Sequence, residues 1–327
     1  YIRSSRTDEA ITSAIMNVTS DYTPKIAILS AHSSFDASAF SSLLSQNNFE
    51  VVTQDLLVEE IDPEAEAAVL FAPSEDLDEA QLDKLDEFLD NGGQKGKTLL
   101  YFASANQSQL PNLEAFLSEW GIVMEDATLY ETNYSRIYNY SPYYSIVDFV
   151  NTEIYEDTSA YLLMPNARVM DTAYTERDSR TVEVLLKFGS TAKALPNDAA
   201  EDFDIESAET YAFPALIQST LQKSAGNANA TGTAMLESHV VVSSSAMSCE
   251  SSLLNGSTFV NGKYYIALLN SLLGRESNFS ITAKTLDTTT LTMTNFQILS
   301  IGAAFAIIIP LVILIVGVVV WLRRRHK

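Results

Sequence analysis

The sequence predicts an α/β protein: a doubly wound sheet with a long insertion, followed by one C-terminal transmembrane helix. Two observations carry this. Short apolar runs alternate with helix-patterned segments over about 100 residues, and an uncharged stretch runs from Phe296 to Leu322. Residues 1–23 read as a helical lead-in, with Asp8 to Thr19 as its helix, ending near Pro24. Lys25–Ser30 is an apolar run suited to a buried parallel strand, Phe35 to Leu44 has helical spacing, and Glu50–Leu57 is a second strand. Ala67–Ala72 is a third strand, closed by Pro73. The next helix has Asp76 or Asp78 as its cap, Leu82, Leu85, Phe88 and Leu89 as its stripe, and Gly92-Gly93 as its stop. Lys97–Ala103 is a fourth strand, and Leu113 to Trp120 a helix ending at Gly121.

Three strand–helix units in this span imply a flavodoxin-like sheet. The pattern breaks from about 126 to 236, an irregular insertion with strand-like stretches at Tyr161–Met164 and Thr181–Phe188. A last strand, His239–Ser243, and a helix, Lys263–Leu273, complete a domain over 24–275. Residues 276–295 read as a Thr- and Ser-rich stalk, 296–322 as the membrane helix and 323–327 as a basic tail.

Leu299 to Leu322 would span about 36 Å as a helix, enough for a hydrocarbon core of roughly 30 Å with some tilt. Arg323, Arg324, Arg325 and Lys327 favour a cytoplasmic tail, and Trp321 has the position of an interfacial aromatic. The preceding region is expected outside the cell membrane. It opens at Tyr1 without methionine or signal peptide, so a longer protein is expected, with an export signal or upstream membrane segments removed.

All 42 acidic residues but only 16 of the 20 basic ones precede the anchor, a net charge of −26 (16 minus 42). Such a surface repels phosphate backbones and excludes a nucleic-acid partner. The single cysteine, Cys249, allows no intrachain disulfide and favours a bacterial source. Several Asn-x-Ser/Thr sequons, among them Asn17, Asn106, Asn133, Asn229, Asn255 and Asn278, are expected by chance in a chain this rich in Asn, Ser and Thr.

Catalytic chemistry is sparse. Gly92 to Thr98 imitates a phosphate loop, but it has three residues instead of four between glycine and Gly-Lys, and it follows a helix where the motif needs a strand. There is no nucleophile elbow. Cys249 follows the last strand, yet the only histidines before the tail, His32 and His239, are expected at opposite sheet edges. No metal-ligand spacing and no cofactor motif stands out, and the acidic run from Glu75 to Asp90 reads as a solvated helix face. The unusual stretch is YETNYSRIYNYSPYY. Tyr130, Tyr134, Tyr138, Tyr140, Tyr143 and Tyr144, with Arg136 and Asn139, form a candidate surface for a glycan, a peptide or a protein partner. The same rings could instead pack the insertion onto the sheet. Ile146, Val147, Phe149 and Val150 after it read as a buried helix face.

The opening DEAITSAIMNVTSDYTPKIAILSAH, the order strand, acidic helix, Gly-Gly, the block NYSRIYNYSPYYSIVDFV and the closing IPLVILIVGVVVWLRRRHK together resemble the auxiliary subunits of bacterial ABC transporters typified by the gliding-motility GldG family. The resemblance implies a glutamine-amidotransferase-like or flavodoxin-like extracytoplasmic core that works with an ABC permease and ATP-binding subunits. Ala103-Ser104-Ala105-Asn106 follows the fourth strand, where amidotransferases carry a nucleophilic cysteine, so the fold is expected without that chemistry. The resulting expectation is a non-catalytic, membrane-anchored auxiliary component with no cofactor. A stand-alone glycan or peptide receptor is the second reading, and a hydrolase using Cys249 or Ser104 the third.

Overall fold

The computed structural model describes residues 4–5, 22–224, 235–256, 258–275, 284–285, 294–308, 310–312, 314–315 and 321–322. The expected lead-in helix and most of the stalk lie outside these residues; Ser4–Ser5 pairs with Lys284–Thr285 in a two-residue ribbon.

The apolar runs form the parallel strands β1 (Lys25–Ser30), β3 (Ala67–Phe71) and β4 (Thr98–Phe102), and the more polar β2 (Glu50–Asp55) lies at the sheet edge. Side chains alternate across the sheet. Ile26, Ile28, Val69, Leu100 and Phe102 enter one core, while Ala27, Leu29, Leu70, Leu99 and Tyr101 enter the other. A strand buried on both faces therefore reads as a continuous apolar run. Helix α1 (Ser38–Gln46) brings Phe40, Leu43 and Leu44 to the first core. Helices α2 (Glu79–Asp90) and α3 (Pro111–Glu119) bring Leu85, Phe88, Leu89, Leu113 and Leu117 to the second. Asp78 caps α2 in a reciprocal capping box with Gln81. Asp76 serves a different helix, accepting from the backbone of Asn112 and Leu113 at the start of α3. Asn91, in the left-handed region, ends α2 just before the glycine pair.

The insertion differs from its expected irregularity: a series of strands runs through it, and they pair antiparallel. Strand β5 (Ile122–Glu131) is followed by β6 (Ile137–Tyr138), β7 (Ser141–Phe149), β8 (Leu162–Pro165) and β9 (Arg168–Thr172). Then come β10 (Glu176–Arg177), β11 (Arg180–Lys187), β12 (Ala192–Pro196) and β13 (Pro214–Ser224). Strand β14 (Met235–Ser243) returns the chain to the parallel sheet, and helices α4 (Ser251–Leu254) and α5 (Asn261–Leu272) follow. The large sheet runs β2-β1-β3-β4-β14-β13-β11-β7-β6, with β10 beside β11 and β8 beside β7; β9-β5-β12 form a separate sheet of three. Ile146, Val147 and Phe149 lie in β7 and not on a helix, and Val150 is exposed just beyond it. Strand β7 pairs with β6, β8 and β11 along different parts of its length, so its buried positions do not alternate cleanly and imitate helical spacing.

Helix α6 (Asn295–Ala303), capped by Thr294, opens the apolar C-terminal segment, and Ala304–Ile308 continues as a π-turn. Among the described residues no helix is long and apolar enough to cross a membrane. Residues 309, 313, 316–320 and 323–327 of the expected span and tail lie outside the described residues.

One ion pair ties the three-stranded sheet to helix α3. Arg168 on β9 is buried, and its guanidinium donates to the Glu125 carbonyl at 2.8 Å and to Glu114 Oε1 on α3 at 2.7 Å. Removing one partner of a buried pair strands the other charge. Glu114→Ala should therefore lower unfolding stability by about 3 kcal/mol, the low end of the usual range because Glu114 is partly exposed. Glu114→Gln, which keeps an acceptor oxygen, should lose less. Urea denaturation checks both, and equal losses would show that charge does not matter there.

Candidate functional site

The carboxyl ends of the parallel strands open into a crevice of about 520 Å³, the place and size at which α/β sheets hold small ligands. Every parallel strand but β2 contributes the loop that follows it: Phe35 and Asp36 after β1, Pro73 and Ser74 after β3, Ser104 and Gln107 after β4, Met247 and Glu250 after β14. The chain leaves β1 and β3 toward opposite faces, into α1 and α2. The crevice lies where those exits diverge.

Its walls are fixed by short bonds. Gln107 donates to the Pro73 carbonyl at 2.7 Å and accepts from the Tyr101 hydroxyl at 2.9 Å, tying the β3 and β4 loops. Ser74 donates to the His32 carbonyl through both Oγ and backbone N–H, at 2.5 and 3.0 Å. His32 and Ala72, both at strand exits, hold positive φ of 49° and 21°, conformations that persist only when surroundings enforce them. Phe35 stacks on Phe71 with ring centroids 4.8 Å apart, presenting an apolar wall. Asp36 accepts from the Ser38 N–H at 2.9 Å, and this bond holds its carboxyl below the usual range.

The residues weighed for catalysis do not assemble. Ser104 lines the crevice, but no histidine, cysteine, lysine or arginine is among the described residues that line it. Cys249 is fully buried, and burial pushes its thiol well above the ordinary value. His32 lies past the carboxyl end of β1, 3.4 Å from Glu75. His239 sits opposite Thr98, the first residue of β4, and hence at the other sheet edge; its ring bonds the Thr220 hydroxyl at 3.0 Å and burial lowers its pKa.

The tyrosine stretch divides. Tyr130 meets Tyr143 edge to face at 5.7 Å, Tyr138 meets Phe259 at 5.0 Å, and Tyr144 packs on the cluster of Ile146 and Leu163. Arg136 pairs with Asp148 at 2.9 Å and bonds the Ile146 carbonyl. It lies over Gly189, where an added Cβ would meet its Nε and force the arginine side chain to shift. Tyr134, Asn139 and Tyr140 are exposed. Asn139 and Tyr140 form the β6–β7 turn with φ of 54° and 57°. Left-handed turns favour Asn and Gly, whereas a bulky ring there is uncommon.

The crevice itself was missed in the sequence, although a signal existed. Every parallel strand but β2 is followed by a polar, serine-bearing loop: HSSFD, PSED, SANQS and SSAMSCE.

Residues 23–140, from just before β1 to the β6–β7 turn, match the family described as an ABC-type uncharacterized transport system. That match supports an auxiliary, transport-associated component. No curated protein matches the chain. Among solved structures, the mmIFT52 N-terminal domain is 15% identical, covering 75% of this chain and 99% of its own, with a TM-score of 0.51. At that identity it shows likeness of fold alone. A Thermoplasma acidophilum protein described as a GMP synthase subunit is 9% identical, covering 78% of this chain and 94% of its own; its TM-score of 0.34 supports no argument.

The burial of Cys249 has a direct consequence. A thiol-specific reagent at pH 8 should leave the native chain unlabelled over an hour and label it within minutes in denaturant. Rapid native labelling would return this thiol to consideration as a nucleophile.

Proposed function

We propose that this chain is a non-catalytic, membrane-anchored extracytoplasmic auxiliary component of a bacterial ABC transport system, of the gliding-motility GldG type. The observation that carries the reading is the family match over residues 23–140, which covers β1, β3 and β4, three of the four strands whose carboxyl ends form the crevice. Read by their order in the chain, the parallel strands run second, first, third, fourth, fifth (β2-β1-β3-β4-β14). This order supports a flavodoxin-like core, in which 24–275 is one α/β domain and the stretch 126–236 its insertion. The uncharged run 296–322 and its arginine-rich end support the anchor, with the domain outside and the tail cytoplasmic. ATP is then hydrolysed by a separate component, and this domain binds or scaffolds beside an ABC permease.

Tyr134 and Tyr140 are the partner-facing residues of this reading, because they are the exposed rings of the stretch. Affinity purification of the full chain from its own membranes in mild detergent should recover an ABC ATPase and permease in near-stoichiometric amounts. Their reproducible absence after crosslinking would defeat the proposal. Tyr134→Ala with Tyr140→Ala should reduce that recovery without changing the melting temperature. Tyr138→Ala should instead cost about 1–2 kcal/mol of stability by removing an edge-to-face contact and part-buried ring.

A further inference from the structure

We infer that the crevice at the carboxyl ends of the parallel strands takes a small cationic ligand bearing one or more ammonium groups. The inference rests on the binding reading of this crevice, but not on which transporter subunits the chain joins. Its volume of about 520 Å³ suits a small molecule.

The charged side chains that line it, among the described residues, are Asp36 and Glu250. An anion would meet two carboxylates with no compensating cation, on a domain of net charge −26 before the anchor. The feature that could have favoured an anion is already answered from within. Helix α1 begins beside the crevice, and its first-turn N–H at Ser38 is bonded by the Asp36 carboxylate at 2.9 Å. The positive end of α1 thus faces a resident negative charge.

An ammonium group finds complementary partners there. The Phe35 ring, backed by Phe71 at 4.8 Å, offers a π-face on which a cation gains further attraction. The hydroxyls of Ser74 and Ser104 and the Asn106 amide lie around the same space and can accept N–H bonds. Aromatic wall, two carboxylates and neutral acceptors together form a seat for a charged amine attached to a short body.

Three compounds of equal chain length separate the alternatives by calorimetry on the full chain in detergent: putrescine, the neutral 1,4-butanediol and the dianion succinate. Putrescine should bind at one saturable site, weaken as salt rises, and outbind both others. Asp36→Asn with Glu250→Gln should weaken it about three- to tenfold, since both carboxylates are exposed and each pairs with a cation only in screened surroundings. Asparagine can still accept from the Ser38 N–H, so α1 keeps its bond and the variant should melt like the parent. Asp83→Asn with Asp86→Asn, in the acidic groove between α2 and α3, should leave binding unchanged. Tighter binding of succinate or butanediol would overturn the inference. So would no saturable putrescine binding, or binding lost equally in the groove variant. The transporter reading is judged separately, by which subunits co-purify.

Discussion

Strand β14 carries a double constraint on which the rest of the molecule depends. It pairs in parallel with β4, His239 opposite Thr98, and antiparallel with β13, the same His239 opposite Thr220. Its two edges therefore join a parallel α/β half to an antiparallel half in one sheet. Val240, Val241 and Val242 are buried and alternate between the two cores. Slipping either pairing by one residue would exchange every core side chain of β14 for its neighbour and place the wrong ones against α2 and α5. Burying each valine contributes about 1.5–3 kcal/mol, so both registers are held by the same apolar alternation.

The loop leaving β14 converts this register into the shape of the crevice. Ser245 donates to the Pro165 carbonyl, the Ser248 hydroxyl meets the Tyr265 hydroxyl at 2.5 Å, and the Ser248 carbonyl accepts from Asn261 at 3.1 Å. Asn261 also exchanges two hydrogen bonds with the backbone of Leu163. The Ser245 and Ser248 hydroxyls suit this place because both are buried with a partner, and a buried polar group left unpaired is costly. Burial likewise raises the Tyr265 hydroxyl's pKa well above its ordinary value, so it stays a neutral donor. The side of the crevice that carries Met247 and Glu250 is therefore set from below, by strand and helix.

The parallel half was legible because each of its elements obeys a local rule. Ile26 to Leu29 and Ala67 to Phe71 are short apolar runs, and α2 has an acidic cap, a leucine stripe and a left-handed end. The insertion obeys no such rule over its whole length. Register shifts between Arg168 and Met170, between Val184 and Leu186 and between Ile137 and Tyr138 interrupt the period of two by which strands are read. Strand β7 hides for a second reason, since it changes partner along its length. The tyrosine stretch was visible as a feature but not as a division of labour. Whether Tyr138 packs is decided by Phe259, more than a hundred residues away. The crevice lies beyond local reading altogether, because four loops distant in sequence meet only once the strand order is set.

That strand order also links the crevice to the tyrosine stretch by a short covalent and hydrogen-bonded path. The Ser244 carbonyl accepts from Arg168 N–H at 2.8 Å, the Asn166 carbonyl accepts from Ala105 N–H at 3.1 Å, and Asn166 N–H donates to the Tyr143 carbonyl at 2.8 Å. Tyr143 then holds Tyr130 by ring contact. Residues 103–108 and 243–250, which frame the crevice, are thus bonded to residues 165–168, and those to β7. Transmission of a signal along such a path would require an element with two arrangements of similar energy. Here the joining segment contains Arg168, buried and paired, and a chain of satisfied backbone bonds. Moving it would break several of these at once, each worth about 0.5–1.5 kcal/mol and more where charge is involved. The bonding pattern is that of a rigid brace, which favours a domain that holds the crevice and the exposed tyrosine turn at a fixed separation over one that changes shape between them.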